Sequence, residues 1–487
     1  MAELLQEQYV SVFSDPAAEK TLPAESYTGA EISDIPFTKD DIEAAIDEID
    51  RDSATTDHDI PAPILKECKA NLSYPIFLIW KNSFHNGIIP EDMKIQSITP
   101  IFKKGDKSDP ANYRPISLTS HLIKIFERVI RKNLVHHLET NNILSNKQHG
   151  FRKGRSCLTH LLKHVDDIIQ SLLNGNDHDV IYLDFAKAFD KVDHEILIHK
   201  LRQCGVQGKI LTWIEQFLTN RKQFVTIDGF HSTLALVLSG VPQGSVLGPI
   251  LFLIYINDLQ FQLSGSTAGS FADDTRLSKE ISTCEDVSVL QKDLDSVVEW
   301  ASQNNMVLHE NKFEYLAYRT SFGKILEEFP FTAQWVQYHT PSGQNITPAS
   351  SVKDLGVHLS PDMKWSLQAN AAAQNGFKMA NWVLSVFSDR SKDVLLTLYK
   401  SIVRSRLEYS CPVWNPYTMQ DIKKTGVNPT CFYSLHRRMS RHVLLGQTEE
   451  TQPDVPSKAQ RAIYHHTFVE DMAGHSTKRP RYFILRP

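Results

Sequence analysis

Apolar residues along this chain recur with two different periods. At Ile42, Ile46 and Ile49, and again at Leu122, Ile125, Phe126, Val129, Ile130 and Leu134, they fall three or four apart and predict amphipathic helices. Thr38 followed by Asp41 marks a start for the first, and 120–138 frames the second. Another helix is expected over 72–84, stopped near Gly87. Residues 95–102 alternate instead, as a strand does, and the charged run 103–109 reads as the exposed loop after it. Residues 180–184 form a short strand, with Val180, Tyr182 and Asp184 on one face and Ile181 and Leu183 on the other. A helix through Ile196, Leu197 and Leu201 stops at Gly205. Asp228-Gly229 between 223–227 and 230–238 is a hairpin signal. Ser245 can cap a helix over 246–259, apolar nearly all round and therefore buried. Residues 270–277 read as a second hairpin with two acids in its turn, and 349–359 as one more edge. Helices over 367–387 and 393–409 follow, and from about 423 no clean period is found.

Composition is that of an ordinary soluble protein, 41% hydrophobic and 22% charged. The longest apolar run, 246–256, is interrupted by Gly248 and Pro249 and is too short for a bilayer, so no membrane contact is expected. The first thirty residues lack a basic start followed by an apolar run, so no signal peptide is expected. Six scattered cysteines, none at C-x-x-C spacing, suit free thiols in a reducing, intracellular compartment, with nucleus and cytoplasm both open. The net charge of −5 speaks against nucleic acid until its distribution is considered. Residues 1–60 hold sixteen acids against three Lys/Arg, whereas 94–155 hold thirteen Lys/Arg against four acids and 376–487 seventeen against nine. Two basic stretches can grip phosphates locally whatever the total.

Three acids carry the candidate chemistry. Asp184 ends a strand, and Asp273 and Asp274 occupy a tight turn about ninety positions later. An isolated Asp-Asp pair is most often only a turn. Here apolar strand residues flank it, where acids are costly to place without a reason. Hard oxygen ligands of this kind suit a pair of divalent cations that clamp the attacking and leaving oxygens of a phosphoryl transfer. Lys103 and Arg114, with Lys104 beside them, could neutralise a departing pyrophosphate. Lys312 is a candidate general acid, although an exposed lysine is the commoner explanation. Phe189, five residues after Asp184, could press on a sugar or simply fill the core. The glycines around Pro242-Gln243-Gly244 could let backbone approach a base pair, with the Gln243 amide at the nucleotide. Cys431, His436 and His442 have no second cysteine near them and are weak zinc candidates.

Six blocks then appear in a familiar order: Ile98 to Asp106, Asn112 to Leu118, Gln148-His149-Gly150-Phe151-Arg152, Leu183-Asp184-Phe185-Ala186-Lys187-Ala188-Phe189-Asp190, Gly240 to Gly248, and Phe271-Ala272-Asp273-Asp274. Over roughly 35–420 the chain resembles reverse transcriptases of non-LTR (LINE-type) retrotransposons, the jockey-like branch above all. The resemblance implies an α+β right-hand polymerase: a linker or extension over 1–89, fingers over 90–175, a palm with an antiparallel sheet over 176–325, a helical thumb or connection over 326–420, and a divergent tail over 421–487. It implies that Asp184, Asp273 and Asp274 bind two Mg²⁺ (with Mn²⁺ as a substitute) and that Phe189 is the sugar gate. Lys103, Arg114, Phe185, Gln243, Gly244 and Lys312 would bind the dNTP. The partners implied are an RNA template, a DNA primer or target and dNTPs, within a retroelement ribonucleoprotein.

Three departures stand out. Such elements usually carry an apurinic-type endonuclease upstream, and this chain begins in what resembles the linker behind it. A Gly-Pro-Asp-Gly stretch is replaced by Thr56-Asp57-His58-Asp59. From Thr425 the resemblance stops, as a frameshift would produce. RNA-directed DNA synthesis is therefore the leading expectation, and a catalytically inactive remnant that only binds nucleic acid is its rival. A metal-dependent nuclease would leave Pro242-Gln243-Gly244 and Phe189 unexplained.

Overall fold

The computed structural model describes residues 1–14, 29–56, 59–320, 337–389 and 391–425. Asp57, His58 and the 426–487 stretch, with Cys431, His436 and His442, lie outside the described residues. Two compact units divide at 352/353.

The first unit opens with helices α1 (Ala2–Val10), α2 (Lys39–Asp47), α3 (Ala62–Glu67) and α4 (Lys69–Asn86). The expected Thr38 start is present: its N–H and hydroxyl both donate to Asp41 Oδ2, at 3.0 and 3.1 Å. Strands β1 (Ile95–Phe102) and β2 (Tyr113–Leu118) pair antiparallel, so Ile101 faces Arg114 across the pair. Helices α5 (His121–Thr140) and α6 (Cys157–Leu173) follow. Next come β3 (Asp177–Leu183), the short β4 (Phe185–Ala186), α7 (His194–Gln203) and α8 (Gly208–Leu218). The Asp228-Gly229 turn, both residues with positive φ, joins β5 (Lys222–Ile227) to β6 (Phe230–His231), and β7 (Ala235–Leu236) also pairs with β5. β1 pairs β5 in parallel, 127 positions away at Ile95 and Lys222, and so closes a mixed five-stranded sheet.

The remainder of the unit builds a second sheet. After α9 (Gly248–Ile256), β8 (Thr267–Phe271) and β9 (Asp274–Ile281) form the expected hairpin, and α10 (Cys284–Gln303), β10 (Val307–Leu308) and β11 (Glu314–Tyr318) follow. The order is β11-β3-β9-β8, antiparallel throughout. β3 is central and buried on both faces: Ile181 and Leu183 enter the main core, and Val180 is also fully buried. That core joins the sheet to α9 and α10 and extends to an aromatic group around Trp80, Phe126 and Trp213. The α+β class expected from the resemblance is the class observed.

Several expectations need correction. The strand expected over 230–238 is interrupted, pairing with β5 only at Phe230–His231 and Ala235–Leu236. Asp184 lies just past the end of β3, not within it, because β4 turns away to pair β10 (Phe185 with Leu308). The apolar helix starts at Gly248, two residues later than expected. Ser245 Oγ still accepts from Gly248 N–H at 2.8 Å, but the N–H groups of Val246 and Leu247 donate to Glu127 on α5 at 2.7 and 2.9 Å. Glu127 is fully buried, and burial holds its carboxyl above the ordinary range. Glu127→Ala would orphan both N–H groups and is expected to cost about 2 kcal/mol in urea unfolding. Because the folded-state pKa is raised, the stability held by protonated Glu127 is complete at low pH and lost as pH rises through it. Glu127→Gln should therefore gain on wild type as pH rises.

In the second unit a short hairpin, Val352–Asp354 with Val357–Leu359, precedes helix Ser366–Val386. The helix expected over 393–409 is broken: Lys392–Leu398 passes into a π turn, Tyr399–Arg404, before Ser405–Leu407. Ala380, Val383, Leu395, Val403 and Leu407 form its own core. Among the described residues no helix is long and apolar enough to cross a membrane.

Candidate active site

The β8–β9 turn places its acids by backbone strain and by an outside clamp. Ala272 has φ 56°, a left-handed conformation that alanine seldom adopts, and Asp273 follows it. Phe271 pairs Asp274 to close the turn. Gln148, 5% exposed, accepts from Ala272 N–H at 3.0 Å and from Gly150 N–H at 2.8 Å. Its amide donates back to the Ala272 carbonyl at 3.4 Å. His149 N–H to Ser270 O (2.9 Å) and Ser270 N–H to Lys147 O (3.1 Å) lay the loop along β8 like a further strand. A Cβ on Gly150 would meet Ala272 N at 2.5 Å, so only glycine lets the loop come this close.

Four further segments converge on that turn. Asp184 accepts through its carbonyl from His309 N–H at 2.9 Å, which brings up the turn Glu310–Lys312. Lys312 Nζ then lies 2.6 Å from Asp184 Oδ2, with both side chains well exposed. Lys103 follows β1, its N–H bound to Asn112 O at 2.9 Å, and Arg114 stands on β2 beside it. Their mutual influence is electrostatic. Burial pushes the Asp273 carboxyl up and the Asp184 charge adds to this, while Arg114 and Lys103 pull it back. The Lys103 ammonium is held below its ordinary value by burial, then by Arg114 and Lys312, against the pull of Asp184. Asp184, Asp273, Lys103, Arg114 and Lys312 therefore share one field. Asp274 is exposed at the first position of β9.

The remaining candidates separate. Phe189 is half-buried, stacked on Phe252 (centroids 4.3 Å apart, 18° between planes) with Phe151 edge-on at 6.2 Å, so one face of its ring serves the core. Phe185 is a core residue, 6% exposed and set against Trp300, which withdraws its ring from any nucleotide. The glycine loop is engaged with protein. Gln243 Nε2 donates to Asp190 Oδ1 at 2.7 Å, and Gln243 O accepts from Ser117 N–H at 2.7 Å. At Gly244 (φ 127°) a Cβ would lie 2.5 Å from Ser117 O. What approaches Gly244 closely is thus β2, and the loop seats the strand that carries Arg114. Gln148, Glu127 and Asp190 had no role assigned from sequence. Gln148 lay inside a matched block, but its partner is 124 positions away.

Residues 101–359 match the model of the family described as "Reverse transcriptase (RNA-dependent DNA polymerase)". The chain belongs to that family. This reverse transcriptase is 29% identical over 355 residues to the "Probable RNA-directed DNA polymerase from transposon X-element" of Drosophila melanogaster, covering 69% of this chain and 37% of that protein. It is 28% identical over 365 residues to the "RNA-directed DNA polymerase from mobile element jockey" of Drosophila funebris, covering 72% and 38%. The reverse transcriptase thus spans little more than a third of the length of either relative. A structure of apo telomerase from Candida tropicalis aligns with TM-score 0.39 at 11% identity, over 63% of this chain and 61% of that one.

Members of the family use divalent metal ions, and the donor chemistry here suits them. Asp184 and Asp273 offer hard oxygens, and the Lys312 ammonium already lies where Asp184 meets a cation. Among the described residues, no three His, Cys, Asp or Glu side chains gather closely enough to hold a metal by themselves.

Proposed function

We propose that this reverse transcriptase is the RNA-directed DNA polymerase of a jockey-like non-LTR retrotransposon, extending a DNA primer with dNTPs on an RNA template. Fingers over 90–175, a palm over 176–325 and a thumb over 326–420 belong to this reading. The observation that carries it is the convergence of Lys103, Arg114 and Lys312 on Asp184 and Asp273 from separate segments. An acid pair alone would suit a nuclease. Three cations facing it suit a triphosphate.

In this reading the primer 3′-hydroxyl gives up its proton to solvent water and its oxygen forms a bond to the α-phosphorus of the dNTP. The bond to the bridging oxygen breaks, and pyrophosphate leaves with that electron pair. Lys103 and Arg114 neutralise the charge gathering on the leaving group. Lys312, released from Asp184 as substrate binds, is placed to give pyrophosphate a proton. Asp184 and Asp273, with Asp274 beside them, would hold two Mg²⁺, which supply Lewis-acid stabilisation of the attacking and leaving oxygens. Mn²⁺ would substitute. The free face of Phe189 would rest against the sugar and exclude a 2′-hydroxyl. The template-bearing ribonucleoprotein and a nicked DNA target complete the reading.

Primer extension on an RNA template with Mg²⁺ and dNTPs tests it, with wild type beside Asp273→Ala/Asp274→Ala. Extension by wild type alone is the expected result. Hybrid binding without extension by either protein would favour the catalytically inactive remnant.

A further inference from the structure

A cavity of about 330 Å³ opens on the flank of the β8–β9 hairpin, beneath the first half of α6 and the 146–155 loop. It lies on the face of the sheet that bears the acids. On β9, Asp274 and Arg276 alternate to the same side, so Arg276 is one pleat, roughly 6.8 Å, from Asp274. Four basic side chains line it (Lys147, Arg155, Lys163 and Arg276) against one carboxylate, Asp167. Lys163 Nζ lies 2.7 Å from Asp167, which leaves the lining strongly positive.

Arg276 is the deepest of these charges. It is 5% exposed, with Nη2 donating to the His160 carbonyl at 3.2 Å. Its guanidinium lies in the cavity wall, among the charges that an entering anion would meet. Beside it the His149 and His160 rings lie 5.0 Å apart, tilted by 59°. Burial and then Arg155 bring His149 down to about 4, and burial and then Arg276 bring His160 down to about 2, so both imidazoles are neutral at physiological pH. Flat neutral rings in a lining that also carries Arg276 and Arg155, the latter bound to Asn146 through its carbonyl and Oδ1, suit a heterocyclic base attached to a phosphate.

We infer that this cavity receives one nucleotide unit of a single-stranded nucleic acid. Arg276 and Arg155 hold its phosphate, and His149 and His160 face its base. The inference rests on the polymerase reading insofar as it expects a polynucleotide rather than another anion. A strand lying across Asp184 and Asp273 and continuing along β9 meets the cavity about one phosphate spacing further on.

Fluorescence anisotropy of a labelled single-stranded RNA oligonucleotide, measured at several salt concentrations on the full chain, tests this. Arg155→Gln/Lys147→Gln should weaken binding about five- to tenfold and flatten the salt dependence by about one to two counterions. The KM for dNTP should stay unchanged. Arg276→Gln should do the same where it folds, and the two rim residues carry the test where it does not. Competition by millimolar 5′-AMP, absent with inorganic phosphate, would assign the cavity to a nucleotide unit. Displacement by inorganic phosphate alone would reduce it to an oxyanion site and overturn the base contact. Unchanged affinity and salt slope in a folded Arg155→Gln/Lys147→Gln protein would overturn the proposal outright. Because binding is read without turnover, a wild type that fails to extend a primer would sink the polymerase reading and leave this result standing.

Discussion

Asp184→Asn is expected to slow RNA-templated primer extension by about a thousandfold or more, with little change in affinity for the primer–template hybrid. Asp184 is the acid against which the site's cations are arranged: Lys312 binds it directly, and its charge acts on both Asp273 and Lys103. Removing one preorganised electrostatic partner of a transition state costs roughly 10²–10³ in rate, and on the proposed reading, in which Asp184 would also hold a metal, the loss reaches or exceeds that limit. The fold should tolerate the change. Asp184 is part-exposed, and its ion pair with Lys312 is a surface pair, worth about 0–1 kcal/mol at most. Single-turnover extension beside a thermal melt separates the two effects. A variant that melts like wild type and extends at a comparable rate would remove Asp184 from the chemistry.

The second large effect is expected at a buried residue whose side chain is bonded to the backbone of Ala272 and Gly150. On the proposed reading, in which Asp273 would hold a metal, Gln148→Ala should slow extension about 10- to 100-fold, the usual cost of losing a partner that orients such a ligand. The Gln148 side chain bonds Ala272 on both its N–H and C=O sides, and Ala272 is the strained residue immediately before Asp273. Without that clamp the turn can relax out of the left-handed conformation, and the Asp273 carboxylate moves with it. The half-saturating Mg²⁺ concentration should rise in Gln148→Ala while the KM for dNTP moves little, a split that general loss of stability would not give. Gln148→Glu keeps the acceptor oxygens and should retain part of the rate. A folded Gln148→Ala protein with wild-type metal dependence would falsify the positioning role.

The contrast between those two residues marks what a single sequence can disclose. Strands and helices with a strong local period were legible: β1 over Ile95–Phe102, α5 behind Ser120 and the turn at Asp228-Gly229 fall where the pattern places them, whereas the arm expected over 230–238 pairs only at 230–231 and 235–236. The acids stand out in the sequence because charge between apolar strand residues is locally expensive, and folding brings Asp184 within electrostatic reach of Asp273. What escaped depends on partners brought close only by folding. Gln148 and Ala272 are 124 positions apart, and Glu127 and Leu247 are 120 apart. Gly244 looked like a residue making room for a ligand, and it makes room for Ser117. Asp184 was misplaced by one position because a five-residue apolar run shows where a strand is and not where its neighbours release it. Phe185 matched a block as a letter, but pairing with β10 turned its ring inward.

The order of strands β11-β3-β9-β8 also governs how the protein can be made. Its central strand emerges from the ribosome early, but its two neighbours are completed only at Ile281 and Tyr318. Until then β3 is an apolar strand with open edges, which is what promotes pairing with the wrong chain. A chain ending before Tyr318 would leave one edge of β3 without its β11 partner. Lys312 comes six residues before that point, so the last charge to join the site arrives almost together with the strand that closes the sheet. The sheet that carries this centre therefore cannot be completed until β11 has been synthesised.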